Sequence, residues 1–238
     1  MQLTSTLSVL AVAAVCCGGA SCKKSGPVGV VAEVARAYGG VDLIEAPIAV
    51  KQTGRVRSPR FPGAEGSIIR GFEGPSRLRV EVVFANEAPE VRVLNGKAAW
   101  RQSEQVTGAS MDAIVLQAAR LSLPALLLAS AGVVDGGLVE RAGRRVRLLT
   151  LPLGEGREVD AELDPGTGRI VRSIGRGTGA QPIEFTSTYD DFREVNGRLF
   201  AFHERTTAMG QDAAELHFTS VEVFPAFPGE VFGPPGPP

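Results

Sequence analysis

His203 and His217 are the only two histidines in this chain of 238 residues, and so its only side chains with an ordinary pKa near neutrality. A nucleophilic triad would need one of them beside a serine or a cysteine. No Gly-x-Ser-x-Gly elbow is present, and the three cysteines, Cys16, Cys17 and Cys22, all fall within the first 22 residues. Each histidine lies in an alternating run that predicts a strand, so both read as strand residues. Asp190-Asp191 looks like a carboxylate pair, but neighbours on a strand point to opposite faces and do not share a proton or a metal. Glu158, Asp160, Glu162 and Asp164 do share a face, at about 6.6 Å per pair of residues. A calcium site uses such rows, yet Val159, Ala161 and Leu163 fill the other face, which makes a solvated outer surface the simpler expectation. Gly175-Arg-Gly-Thr-Gly179 follows a strand without opening a helix and lacks the Gly-Lys-Ser/Thr ending of a phosphate loop. The residues therefore predict no enzyme, no metal site and no cofactor.

Charge and composition narrow the partners. Lys and Arg number 25 against 26 Asp and Glu, so no net field gathers nucleic acid. Apolar residues make up 44% of the chain, which is ordinary for a globular protein.

The N-terminal cysteines have their own logic. Leu7 to Val15 is an apolar run too short to span a bilayer, which takes roughly 20 residues, and it fits the core of a secretory signal peptide. Gly19-Ala20-Ser21-Cys22 then resembles a lipobox, in which small residues precede a cysteine that becomes lipidated. Residues 1–22 are thus expected to be a signal peptide, with Cys22 as the lipidation site and 23–27 as a short tether; ordinary secretion with cleavage nearby is the alternative. The tether reaches some 18 Å at about 3.5 Å per residue.

Beyond the tether, Val31, Val34, Ala35 and Tyr38 recur at helical spacing and Gly39-Gly40 stops the helix. Alternating runs follow at Ile48 to Arg57, around Ser67 to Phe72, Leu78 to Phe84, Glu90 to Leu94 and Lys97 to Gln102, with Asn95-Gly96 expected to turn the last pair. The period changes between Ala109 and Ala131. Ser110 is the expected N-cap of one helix, and a second begins near Ser122 with Pro124 in its first turn. Its run Ala125-Leu126-Leu127-Leu128-Ala129 is apolar on every side, which implies burial or a lid over something apolar. Strands resume near Leu138, Arg145 to Leu151, Glu158 to Asp164 and Arg169 to Gly175. Three more close the chain: Ile183 to Asp190, a return strand from Leu199 after the Asn196-Gly197 turn, and Ala213 to Phe224 beyond Gly210. Connections this brief predict an antiparallel meander. Residues 225–238 are rich in Pro and Gly and read as a flexible tail, with Phe227 and Phe232 docking as the alternative.

The segment Tyr189-Asp-Asp-Phe-Arg-Glu-Val-Asn-Gly-Arg-Leu-Phe-Ala-Phe-His-Glu-Arg, with Val221-Glu-Val-Phe-Pro after it, resembles the closing hairpin of bacterial outer-membrane lipoprotein-sorting proteins, the LolA and LolB carriers among them. Phe200-Ala201-Phe202 stands where that family often has Pro-Phe. The resemblance extends more loosely from about Ala35 to Phe224 and implies one domain over 28–224, mainly β (α+β): an incomplete antiparallel β-barrel of about eleven strands, with an N-terminal helix and a helical lid insertion. It also implies a non-enzymatic protein of the periplasmic side of the cell envelope, anchored by its lipidated N-terminus to the outer membrane. Such a protein would bind a lipid, an acyl chain or a lipoprotein in an apolar cavity, with Trp100, Leu126, Leu127 and Leu128 as candidate ligand contacts. An envelope protein-interaction or sensor module with a filled core is the alternative.

Overall fold

The computed structural model describes residues 29–141 and 143–236, and the candidate signal peptide, lipobox and Cys22 lie outside them. The alternating runs become thirteen strands: β1 (Ala49–Arg57), β2 (Glu65–Glu73), β3 (Arg77–Val83), β4 (Glu90–Asn95), β5 (Ala98–Arg101), β6 (Glu104–Val106), β7 (Val134–Arg141), β8 (Arg144–Gly154), β9 (Arg157–Leu163), β10 (Ile170–Gly177), β11 (Ile183–Val195), β12 (Arg198–Ala208) and β13 (Gln211–Phe224). They form one antiparallel sheet in the order β6-β5-β4-β3-β2-β1-β13-β12-β11-β10-β9-β8-β7. Its edges, β6 and β7, do not pair, so the barrel is incomplete as expected. The strand count exceeds the expected eleven partly because β6 has only three residues, too few to show a period of two.

Two meanders, β1–β6 and β7–β13, meet at a seam where β1 pairs with β13 over nine registered positions, Ala49 opposite Phe224 through Arg57 opposite Glu215. Between the meanders run α3 (Gly108–Leu121) and α4 (Leu123–Ala129), which carry the chain from one free edge to the other. Helix α3 packs against β9, β10 and β11 on one side and β4 and β5 on the other, so it lies within the concave face. Helices α1 (Val30–Ala37) and α2 (Val41–Glu45) pack against α4. The five-residue α2 escaped sequence reading because one turn shows no helical period. Helix α3 starts two residues before Ser110, after Thr107, and no side chain caps it.

Turn chemistry explains the register. Asn196 and Gly197 have φ of 51° and 76°, the pair of positive values that a type I′ hairpin requires. At the β4–β5 turn, Asn95 pairs with Ala98, so the central residues are Gly96 and Lys97, one position later than expected, with a positive φ at Gly96. Gly39 ends α1 at φ 108°, and a Cβ there would stand 2.2 Å from the Gly197 carbonyl oxygen. The helix end thus rests directly on the β11–β12 turn, which only glycine permits.

No single helix among the described residues is long and apolar enough to cross a membrane. The α3–α4 pair has the composition but bends by 83°, and Ile114, Leu116, Ala118, Leu123 and Leu127 on it are core residues.

The tail was expected to be loose, but it docks. Gly229–Phe232 forms a short 3-10 turn against β3 and β4, and Phe232 is 0% exposed. Phe227 meets it edge to face at 5.5 Å and lies over Gly71, whose missing side chain leaves the room. Arg77 stacks on the Phe232 ring, and the Phe227 amide donates to Glu73. Proline and glycine bar regular structure here, but two aromatic rings bury enough area to fix an irregular segment. Replacing Phe232 with Ala is expected to lower stability by about 3 kcal/mol, the usual cost of deleting a buried phenyl ring. Urea denaturation measures it, and a loss under about 0.5 kcal/mol, the size of an ordinary surface change, would mean that the tail is dispensable.

Candidate functional site

Alternation along a strand puts residues of one parity on the concave face. On β1 and β2 these include Val50, Gln52 and Val56, and Ile68, Arg70 and Phe72; on β12 they are Arg198, Phe200, Phe202 and Glu204. Two charged residues in this set, Arg70 and Glu204, are buried deep in the concavity. Arg70 Nη1 donates to Glu204 Oε2 at 2.9 Å and its Nε donates to Gln52 Oε1 at 2.7 Å. The Ser187 hydroxyl donates to Glu204 Oε1 at 2.9 Å, and Arg120 from α3 donates to Ser187. Arg70 also stacks on Phe218, 4.5 Å from the ring centroid. Burial pushes the Glu204 carboxyl up, but Arg70 and Arg120 outweigh it, so Glu204 ends below the ordinary glutamate range and is charged at neutral pH.

This polar tie divides the interior. One apolar cluster gathers Val50, Ile68, Phe72, Leu78, Val80 and Phe202 with Ile114 and Ala118 of α3. The other gathers Val30 and Val34 of α1, Leu123 and Leu127 of α4, and Leu149, Leu151 and Val159. Cavities open on both sides of the tie. A cavity of about 490 Å³ lies beneath the α3–α4 bend, walled by Ile48, Val50, Phe72, Leu121, Pro124, Ala125 and Phe200 among others. A second, of about 450 Å³, has a more charged wall that includes Arg92, Arg101, Arg120, Glu90 and Glu204. A small space of about 110 Å³ adjoins the first and reaches Arg70, Arg120 and Glu204.

The 490 Å³ cavity falls within the usual range for small-molecule sites, about 300–1,000 Å³, and has the usual mostly apolar lining. Two polar groups on its wall lack partners among the described residues. Arg198 is 9% exposed, makes no side-chain hydrogen bond or ion pair, and burial pulls its guanidinium below the ordinary arginine value. Ser122, at the helix bend and 6% exposed, has a buried hydroxyl without a hydrogen-bond partner. Tyr38 also lines it; the Ile170 amide donates to the Tyr38 hydroxyl oxygen, and burial raises the phenol far above its ordinary pKa, so it stays protonated.

The ligand contacts expected from sequence lie elsewhere. Leu127 is 1% exposed within the second cluster and Leu126 packs against that cluster, while Leu128 is half-buried. Trp100 is half-buried on β5, opposite Val93 and Gln105. None of the four is on the wall of either large cavity. Helix α4 presents Pro124 and Ala125 to the 490 Å³ cavity and Leu127 to the cluster it shares with α1 and the sheet.

The acidic row differs from expectation, whereas the two histidines lie on strands as expected. Asp160 and Glu162 of the acidic row are buried, because Arg176 bridges Glu158, Asp160 and Glu184 and Arg172 bonds Glu162 at 3.1 Å. The row is a charge ladder covered by arginines from β10. His203 faces His217 across β12 and β13 with stacked rings 4.3 Å apart. His203 Nδ1 meets Asp190 at 2.7 Å and its Nε2 meets Glu215 at 3.1 Å. With Glu215 they offer donor atoms within 4.8 Å of one another, the types that zinc accepts, although Arg205 also holds Glu215.

The architecture has known counterparts. A LolA superfamily protein from Nitrosomonas europaea is similar with a TM-score of 0.53 and 12% identity, over 85% of this chain and 95% of that one. A putative outer membrane lipoprotein-sorting protein domain from Vibrio parahaemolyticus matches with a TM-score of 0.51 and 10% identity, over 86% and 94%. A DUF1329 family protein from Desulfovibrio piger matches with a TM-score of 0.50 and 8% identity, over 85% and 95%. No protein-family model and no curated protein matches the sequence.

Glu204 titrates lower in the folded chain than in the unfolded one. Its contribution is complete above the ordinary glutamate range, about 4.3, and is lost as pH falls below that toward the folded value. Glu204→Gln leaves buried guanidinium groups without their anion, so a loss of about 3 kcal/mol at pH 7 is expected. Denaturant titrations of both proteins at pH 7 and pH 3 test this: the gap must narrow in acid, and an equal gap at both would place the cost in packing instead. In sequence identity these comparisons are distant, and what they establish is the fold: a mainly β, incomplete barrel of the kind found in LolA superfamily proteins.

Proposed function

We propose that this protein is a non-enzymatic component of the cell envelope that holds an acyl chain of a lipid or lipoprotein in the cavity beneath the α3–α4 bend. The observation that carries this reading is the cavity itself: about 490 Å³, walled mainly by apolar side chains and left unfilled by a sheet and two helices that pack tightly elsewhere. Each methylene transferred there from water contributes about 0.8 kcal/mol, so about ten contribute about 8 kcal/mol, a sum of the same order as the cost of association. No bond is made or broken. The fold shared with LolA superfamily proteins agrees with this role, as does the description of one such neighbour as a lipoprotein-sorting domain. Export and lipidation at Cys22 would place the domain on the periplasmic side of the outer membrane, within some 18 Å of it at about 3.5 Å per residue.

Native mass spectrometry of protein expressed with export, followed by lipid extraction, tests the reading. An adduct in the mass range of a fatty acid or phospholipid is expected; a clean mass that stays unchanged after incubation with lipids would favour the protein-interaction module instead. Ala125→Trp should fill part of the cavity and reduce lipid uptake at least several-fold with little loss of stability, because the ring enters empty space. Destabilisation by 1–3 kcal/mol, the usual penalty of overpacking, would show that the wall has no room.

A further inference from the structure

We infer that the cavity selects a single-chain amphiphile with an oxyanion head, a carboxylate or a phosphate monoester, and that Arg198 is the residue that binds that head. The inference rests on the acyl-chain reading above and adds the ligand's charge to it.

Arg198 stands at the start of β12, directly after the Asn196-Gly197 turn, on the parity that faces inward. The tight turn sets the first inward position of the strand at the cavity wall, and a guanidinium occupies it. Its surroundings differ from those of the two buried arginines nearby. Arg70 has Glu204 and Gln52, and Arg120 has Ser187. Arg198 has no acidic or hydrogen-bonding side chain among the described residues, and desolvation alone perturbs it. Its guanidinium opens onto the cavity rather than being sealed in the core, so it is available to an anion that enters there.

Ser122 points the same way through a different group. Its hydroxyl is buried at the helix bend, lines the same cavity and lacks a partner. A guanidinium fork and a hydroxyl donor match a head with two or more oxygens, because arginine binds carboxylate and phosphate through paired hydrogen bonds; of the two carboxylates that also line the cavity, Glu45 and Glu73, the second is held by Arg77 and the Phe227 amide. A neutral ester would leave the charge uncompensated. The chain of the amphiphile would then lie along Phe72, Pro124, Ala125 and Phe200, which share the wall with Arg198.

Isothermal titration of the delipidated full-length protein with hexadecanoic acid, hexadecyl phosphate and hexadecanol, each below its micelle concentration, decides the matter. The acid or the phosphate is expected to bind about tenfold or more tighter than the alcohol, the usual worth of a charge-assisted hydrogen bond, and whichever leads identifies the head. Arg198→Gln should abolish that preference, with a circular dichroism spectrum and a urea midpoint near those of the unaltered protein showing the variant to be folded. Arg198→Lys should keep part of the preference. Equal binding of all three probes by the unaltered protein would overturn the role of Arg198 and leave the acyl-chain cavity standing. Binding of none would overturn both readings. An acid preference that survives Arg198→Gln would place the anion site on another residue.

Discussion

The contact between Arg70 and Glu204 is the constraint on which the rest of the concave face depends. Arg70 lies on β2 and Glu204 on β12, with β1 and β13 between them. In a flat sheet those backbones would be about 14 Å apart, at about 4.8 Å per strand. Side chains 2.9 Å apart therefore require a strongly curled sheet, with the seam between the two meanders at the bottom of the curl. Each charge is too deeply buried to be solvated while the sheet stays curled, so within that interior neither can lose the other without leaving an uncompensated charge at a cost of several kcal/mol. The pair thus fixes the register and spacing of the two meanders across the concavity.

The same pair positions the helices. Arg120 near the end of α3 reaches the network through Ser187, which fixes α3 across the middle of the concavity and sets the site of the bend at Ser122. Helix α4 is held differently, by Leu123 and Leu127 in the apolar cluster with α1 and the β8–β9 hairpin. One helix is secured by polar bonds and the other by burial, and the cavity lies where the two regimes meet. Packing alone would have closed that space. A buried polar network resists such collapse, because moving its members out of register leaves hydrogen bonds unmade.

Local patterns made much of this legible and long-range ones did not. The hairpins, the two meanders, the helix at Val31 to Tyr38 and the interruption near Ser122 all follow from period and turn chemistry, which act over a few residues. Arg70 sits in Ile68-Ile69-Arg70-Gly71-Phe72, where a charge amid apolar residues reads as the solvent side; its partner is 134 positions away. The facing histidines depend on a bulge. The Met209-Gly210 turn pairs Ala208 with Gln211 and would put His203 opposite Leu216, and the register shift between Thr206 and Thr207 moves His217 there instead. One extra residue in a strand leaves no mark in composition. Leu126 to Leu128 were expected at the cavity because an all-round apolar helix has no face that sequence can single out, so its orientation came from α1 and the sheet.

Arg198 and Arg70 show how identical residues on inward positions of the same sheet take different roles. Arg70 is enclosed by acceptors from β1 and β12 and contributes to shape, and truncating it would be a structural lesion. Arg198 lies beyond the tie, on the wall of the cavity, where no side chain among the described residues bonds it and its guanidinium is open to whatever enters. In this half-barrel the central ion pair keeps the concavity open, and the unpaired cation at its rim gives the opening a chemical preference.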